Sequence, residues 1–400
     1  MLFYTGFIFL ATWQLFTSIP TILCDRIRVQ YPFKSDTSLD SGRRLRYVAF
    51  GDSWASGVNW GPPSENTEFD FPDDQKVCQC RRMREAYPAQ LLDDPDRSYI
   101  GGRDLELTFL ACHGAQFEDV PHQLQALDPT IVPDFATLMI GGNPAGFAEI
   151  LADCIFLPDR DRDYGPEYPD PDGECWKTLE RVRTKLESTW FHLELFKTLN
   201  AIQNERRMWL NPNFRLYVLS YSGLFNHDDP ACNDWTFGIW PGKKPLLTTE
   251  LRHAINNVLD HGRKVYDNLI NHVLYSPKVQ YIDLNHVFAG HRFCEPTEAS
   301  TFEAQMDNSW LYGLTWPDCI PLEYSFVHYA NDNDGRQQSR AWQFCRNCGG
   351  LGELGELQRV MHPNGQGHEA YKNALKEIIR RDFGKVQPDV FAVRHQKYLY

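Results

Sequence analysis

No dense run of lysine or arginine occurs in this sequence, and its 40 Lys+Arg are outnumbered by 53 Asp+Glu, for a formal net charge of −13. That balance argues against a protein that grips nucleic acid or anionic lipid electrostatically. Internal repeats and low-complexity tracts are lacking as well, which sets aside solenoids, coiled coils and collagen-like chains. Beyond residue 24 no stretch reaches the length of apolar sequence that a bilayer span needs. No Asn-x-Ser/Thr sequon is present, so N-glycosylation is not expected.

What is there describes a globular chain: 400 residues, 42% hydrophobic and 23% charged, enough to bury a core without external staples. Residues 1–24 carry no charged side chain, and the apolar stretch from Phe7 to Phe16 suits the central region of a signal peptide. An uncleaved anchor is the alternative, made poor by Thr5, Thr12, Gln14, Thr17, Ser18 and Pro20. The segment is therefore excluded from the fold, and the expected destination is extracellular. Eleven cysteines fit an oxidising compartment; if Cys24 leaves with the signal, ten remain, enough for up to five disulfides of unreadable connectivity. Cys345-x-x-Cys348 and Cys78-x-Cys80 lack the second ligand pair that a zinc site requires.

Five short runs read as buried parallel strands: Arg46 to Gly51, Leu105 to Cys112, Phe135 to Gly141, Arg215 to Ser220 and Val279 to Leu284. Helical periodicity fills about 177–208, where Leu186, Trp190, Leu193 and Phe196 fall on one stripe. It fills about 248–274, where Thr249 can cap, and about 366–381. Strands alternating with helices predict a three-layer α/β/α domain with a five-stranded parallel sheet, over residues 40–385 with a tail at 386–400. Long irregular stretches decorate it, and such loops build pockets above the carboxyl edge of a sheet.

The chemistry gathers at that edge. The first strand runs into Gly51-Asp52-Ser53-Trp54-Ala55-Ser56-Gly57, which places a serine where parallel sheets bind ligands. The spacing is not the G-x-S-x-G elbow of α/β-hydrolases, and Ser53 alone could simply cap a helix. After the second strand comes Cys112-His113-Gly114-Ala115, and after the third Gly141-Gly142-Asn143-Pro144. The N–H groups of Ser53 and Gly114 with the Asn143 amide make three candidate donors for a developing oxyanion. Taken singly, Gly114 reads as a turn residue and Asn143 as a loop amide. Near the C-terminus His362 stands on a Pro/Gly-rich loop before the last helix, a suitable place for a general base; His368, inside that helix, reads as structural.

These blocks, Gly51-Asp52-Ser53 with Gly57, Gly114, Gly142-Asn143 and His362, in this order, resemble the SGNH (GDSL) hydrolase superfamily. The resemblance spans about residues 47–379 and is closest to the secreted lipase and esterase members of bacteria and fungi. Cys80-Arg81 followed by Tyr87-Pro88 and the segment Gly290 to Glu295 add to it. It implies a flavodoxin-like fold, a Ser53 nucleophile, a His362 base, and an oxyanion hole from Ser53, Gly114 and Asn143. It also implies a disulfide from Cys78 or Cys80 to Cys112. No cofactor or metal is implied, and the expected partner is a small-molecule, lipid or acylated-sugar ester, with no nucleic acid and no obligate protein partner.

Two departures stand out. The family's Gly-Gly-Asn-Asp is Gly-Gly-Asn-Pro here, and Pro144 is expected to push Asn143 toward extended backbone angles. The family's Asp-x-x-His becomes Arg359-x-x-His362, so no carboxylate comes from that position. What the third member supplies is an acceptor for the imidazole Nδ1–H, and a main-chain oxygen can fix the tautomer. The Arg359 carbonyl is the candidate, with Asp332, Asp334 or Glu356 as alternatives. The loop Asp159 to Gly165 has calcium-like spacing, but its glycine falls one place late and no glutamate closes it. The expected function is a secreted carboxylic ester hydrolase. The alternatives are a carbohydrate acetyl esterase and a catalytically silent binding module of the same fold.

Overall fold

The computed structural model describes residues 44–58, 80–156, 168–237, 243–274, 276–297, 302–313 and 360–384. Several expectations lie outside them: the signal segment and Cys24, both domain limits, Cys78, Cys319, Cys345, Cys348, the loop at 159–165, Asp332, Asp334, Glu356, Arg359 and the tail.

All five expected strands form: β1 (Leu45–Gly51), β2 (Leu105–Phe109), β3 (Phe135–Met139), β4 (Arg215–Leu219) and β5 (Val279–Ile282). They make one sheet of order β2-β1-β3-β4-β5, every pair parallel. The inner strands β1, β3 and β4 are almost continuously buried because helices cover both faces, which is why they read as apolar runs rather than alternating ones, whereas the edge strand β2 is half-buried through its middle. Strand order reverses between β1 and β3, and the carboxyl ends of those two strands frame the crevice where such sheets hold ligands.

Along the chain the helices are α1 (Ser53–Ser56), α2 (Tyr87–Asp93), α3 (Val120–Ala126), α4 (Gly142–Ala145), α5 (Phe147–Leu151), α6 (Glu174–Glu187), α7 (Thr189–Gln203), α8 (Arg206–Leu210), α9 (Thr249–Asn268), α10 (Phe302–Asn308) and α11 (Gly365–Phe383). On one face α2 packs with α11, and the alternate side chains Tyr47, Thr137 and Tyr217 point into that layer. The Tyr47 hydroxyl pairs with Thr137, and that of Tyr217 donates to Asp382 of α11. On the other face α3, α6, α7 and α9 pack together, with Phe191 of α7 set edge-on against Phe117 and Tyr266. Among the described residues no helix is long and apolar enough to cross a membrane.

The helix expected over 177–208 is three. Ser188 takes an extended conformation (φ −68°, ψ 145°), ends α6 and caps α7 by accepting from the Phe191 N–H. A serine at that break satisfies an otherwise orphaned donor, a contribution of about 1 kcal/mol. The break resets the helical phase, so Trp190 and Leu193, expected on the buried stripe, are exposed. In α9 the cap is Thr248, not Thr249: its hydroxyl accepts from the Leu251 N–H. Among the described residues three disulfides join Cys80 to Cys112, Cys154 to Cys175 and Cys232 to Cys294. The first fixes the residue just before the Gly114 turn to the segment that precedes α2.

Candidate active site

The sheet delivers Ser53 first. β1 ends in Gly51 at φ 141°, where a Cβ would overlap the Met139 carbonyl oxygen of β3, so only glycine lets these strand ends lie together. Gln123 clamps that peptide on both sides, accepting from the Gly51 N–H at 3.0 Å and donating to its carbonyl at 2.8 Å. Asp52 then caps α1 by accepting from the Trp54 N–H at 3.1 Å, and Ser53 opens the helix with its side chain buried.

His362 reaches the same point from the far end of the chain. Its Nε2 lies 2.8 Å from Ser53 Oγ, across 309 residues of sequence. Nδ1 lies 3.3 Å from the Val360 carbonyl. A carbonyl can only accept, so Nδ1 carries the proton on that contact and Nε2 is left as the acceptor for the serine hydroxyl. The histidine loop, with Met361 at φ 65°, is held by main-chain bonds to the strap at residues 309–312. Tyr312 N–H donates to the His362 carbonyl at 2.8 Å and Met361 N–H to the Tyr312 carbonyl at 2.9 Å. Leu311 and Pro363 form an antiparallel bridge. The strap rests in turn on the Gly290–Glu295 segment, where His291 stacks on Trp310 at 3.7 Å.

The other two blocks arrive on the neighbouring strand ends. Gly114 follows β2 in a turn where a Cβ would meet nothing within 4 Å, so its peptide is open to approach. Among the described residues no acceptor takes the Ser53 or Gly114 N–H. Asn143 follows β3, and its Nδ2 donates to the Ala115 carbonyl at 3.0 Å, laying the third block's amide on the turn of the second. The expected extended conformation at Asn143 does not occur. Gly142–Ala145 is a short helix, and Pro144 sits within its first turn, where its missing N–H would have had no helical partner.

Two residues passed over in the sequence complete the framework. Tyr221, just past β4, donates its hydroxyl to Asp52 Oδ2 at 2.5 Å and accepts from the Gly142 N–H at 2.9 Å, tying the first block to the third. Burial pushes the Asp52 carboxyl up to about 7, with the bonds from Tyr221 and Trp54 pulling against that rise. Tyr266 of α9 donates to the Ile140 carbonyl and lies where a Cβ on Gly141 (φ 113°) would go. Tyr221 was findable as the residue after a strand end; Gln123 and Tyr266 lie inside helices and give no signal. Trp54 and Phe147 pack on His362, with ring centroids 6.0 and 5.9 Å from the imidazole. His368 is wholly buried, and desolvation pushes it down to about 3, keeping it neutral in the core. Among the described residues no group of three or more His, Cys, Asp or Glu side chains could hold a metal ion.

No family model matches the chain. A curated lipase of Streptomyces rimosus is 25% identical over 286 residues, 71% of this chain and 81% of that protein. Lipase 1 of Streptomyces coelicolor is 22% identical over 271 residues, 68% of this chain and 76% of its own length. Among solved structures, phospholipase A1 from Streptomyces albidoflavus NA297 superposes with a TM-score of 0.51 at 20% identity, covering 84% of this chain and 99% of that one. The extracellular lipase from Streptomyces rimosus gives 0.50 at 21% identity, covering 83% and 99%. These superpositions are a likeness of fold.

Proposed function

We propose that this chain, a member of the SGNH hydrolase superfamily, is a secreted esterase of the lipase kind that cleaves carboxylic esters through an acyl-enzyme on Ser53. The observation that carries the reading is the 2.8 Å approach of Ser53 Oγ to His362 Nε2 at the switch point of a parallel sheet. His362 takes the serine proton as Ser53 attacks the ester carbonyl. The N–H groups of Ser53 and Gly114 and the free hydrogen of the Asn143 amide receive the oxyanion. His362 then protonates the leaving alcohol, and water repeats the sequence on the acyl-enzyme.

A main-chain oxygen takes the place of the third carboxylate. The Val360 carbonyl, 3.3 Å from Nδ1, fills that role; the expected Arg359 carbonyl lies outside the described residues. It orients the ring without a full negative charge. The acetyl esterase alternative is not favoured, because both sequence relatives are named lipases. Export fits the disulfides among the described residues and the extracellular setting named for one structural relative.

A serine-directed fluorophosphonate is expected to label the protein once, with labelling abolished in Ser53→Ala. Ester turnover should fall at least about a thousandfold in both Ser53→Ala and His362→Ala. Labelling that survives in Ser53→Ala, or an inert wild-type protein, removes this reading and leaves a silent module of the same fold.

A further inference from the structure

Resting on the reading of Ser53 as nucleophile and His362 as its base, we propose that His291 is a positioning residue for the reaction, acting through Trp310 and the strap at 309–312 to hold the imidazole against Ser53. The Val360 carbonyl that accepts from Nδ1 stands two residues before His362 in the same loop. It fixes the ring within the loop and does nothing to fix the loop against the sheet. The strap does that. Besides the rungs through Tyr312 and the Leu311–Pro363 bridge, the Trp310 carbonyl accepts from the Asn364 N–H at 3.0 Å, and the Ser309 carbonyl accepts from the Asn364 amide at 2.8 Å.

The strap needs a footing of its own, and His291 supplies it. The two rings lie with centroids 3.7 Å apart and planes 4° from parallel. A flat stack sets the spacing between two groups but leaves them able to slide. Two hydrogen bonds stop the slide. His291 Nδ1 lies 3.0 Å from the Asn308 carbonyl, which can only accept, so the nitrogen donates; the Trp310 N–H donates to the His291 carbonyl at 2.9 Å. His291 belongs in turn to the sheet side of the molecule. Beyond it, Phe293 donates its N–H to the Leu224 carbonyl at 3.0 Å and accepts from the Asn226 N–H at 2.7 Å, and Cys294 is bonded to Cys232. The path from the loop after β4 to the imidazole therefore runs through the stack of His291 on Trp310.

Proton transfer makes that footing matter. Misplacing a reacting group by about 1 Å can slow a reaction on the order of a hundredfold, so a partly loosened strap should cost about tenfold. The side chain at 291 has to be a flat ring that also donates at one edge. Phenylalanine there keeps the stack without the donor, and alanine keeps neither.

The test measures p-nitrophenyl acetate turnover and the rate of fluorophosphonate labelling, far below the melting temperature, in wild type, His291→Phe, His291→Ala and Trp310→Ala. Both rates should fall together, about tenfold in the alanine variants and about threefold in His291→Phe, with KM within about twofold and labelling still reaching one group per chain. Combining His291→Ala with Trp310→Ala should slow the protein no further than the worse single change, because the two residues make one contact. Adding His291→Ala to His362→Ala should leave the residual turnover within about twofold, since no imidazole is left to place. A residue that merely supports the fold would lower it again. Should alanine at 291 prevent folding, His291→Phe takes its place in every comparison. Unchanged rates, effects that multiply in the double variant, or a further loss in the His362→Ala background overturn the assignment while leaving the Ser53 reading standing. A wild type with neither turnover nor labelling would instead sink the reading on which it rests.

Discussion

Ser53 and His362 meet as partners, yet they are held in opposite ways. The serine is fixed by the sheet that carries it: two strand ends in contact through Gly51, a glutamine clamped on the same peptide, and a tyrosine bridge from Asp52 to Gly142. Each of these is a buried contact with no slack. The histidine stands on a loop whose restraints are backbone bonds to a strap at 309–312, itself leaning on His291. One side of the site is part of the core, and the other is docked onto it. A rigid serine beside a docked histidine means that packing errors should strike the first side hardest, while the second should yield in small steps.

Among changes to the groups that hold this pair, the largest expected effect is Gly141→Ala. The added methyl overlaps the Tyr266 hydroxyl, and the φ of 113° suits glycine alone. Destabilisation of about 3 kcal/mol or more and a loss of at least about a hundredfold in kcat/KM should follow. Adding Tyr266→Phe should recover part of both. A tolerated Gly141→Ala would erase the contrast between the two sides.

Tyr221→Phe comes next. It leaves a carboxyl and the Gly142 N–H without their hydroxyl partner, which should cost about 1–3 kcal/mol and lower kcat about tenfold or more. The folded Asp52 carboxyl is raised from 3.8 to about 7, so between those values the folded state binds the extra proton and stability falls as pH rises. The Tyr221 hydroxyl favours the ionised form, and its removal should widen the melting-temperature gap from wild type between pH 5 and pH 8. A constant gap across that range would show that the bridge does not sense the charge on Asp52.

Asn364→Ala probes the docked side and should be mildest. Asn364 caps α11 by accepting from the Gln366 and Gly367 N–H groups, and its amide donates to the Ser309 carbonyl. A loss of about 1–2 kcal/mol in thermal unfolding is expected, with turnover down only a few-fold. If it proves more damaging than Gly141→Ala, the comparison has been drawn the wrong way round.

The same division governs what could be read from the sequence. The strands were legible because burial on both faces makes each a short apolar run ending in glycine or a polar turn, and Ser53, Gly114 and Asn143 could be placed on one edge once those ends were known. The breaks were harder: Ser188 interrupts a stripe that looked continuous, and only its hydroxyl bond to the Phe191 N–H shows why. Pro144 misled in the other direction, because its restriction on the preceding residue was overruled inside a short helix anchored at Gly141. Tyr266, Gln123 and the 309–312 strap were invisible for a different reason. Each acts through a contact distant in sequence, and neither periodicity nor local composition encodes which hydroxyl will arrive at which peptide.

The strap that carries the histidine is joined to it mainly by peptide groups. Main-chain donors are common to every amino acid except proline, so exchanging the side chain of the half-exposed Tyr312 leaves the bonds through its N–H and carbonyl available. Heredity can thus tinker with what that position displays, generation after generation, while the imidazole keeps its station. Proline at 312 would be the exception, deleting a rung outright.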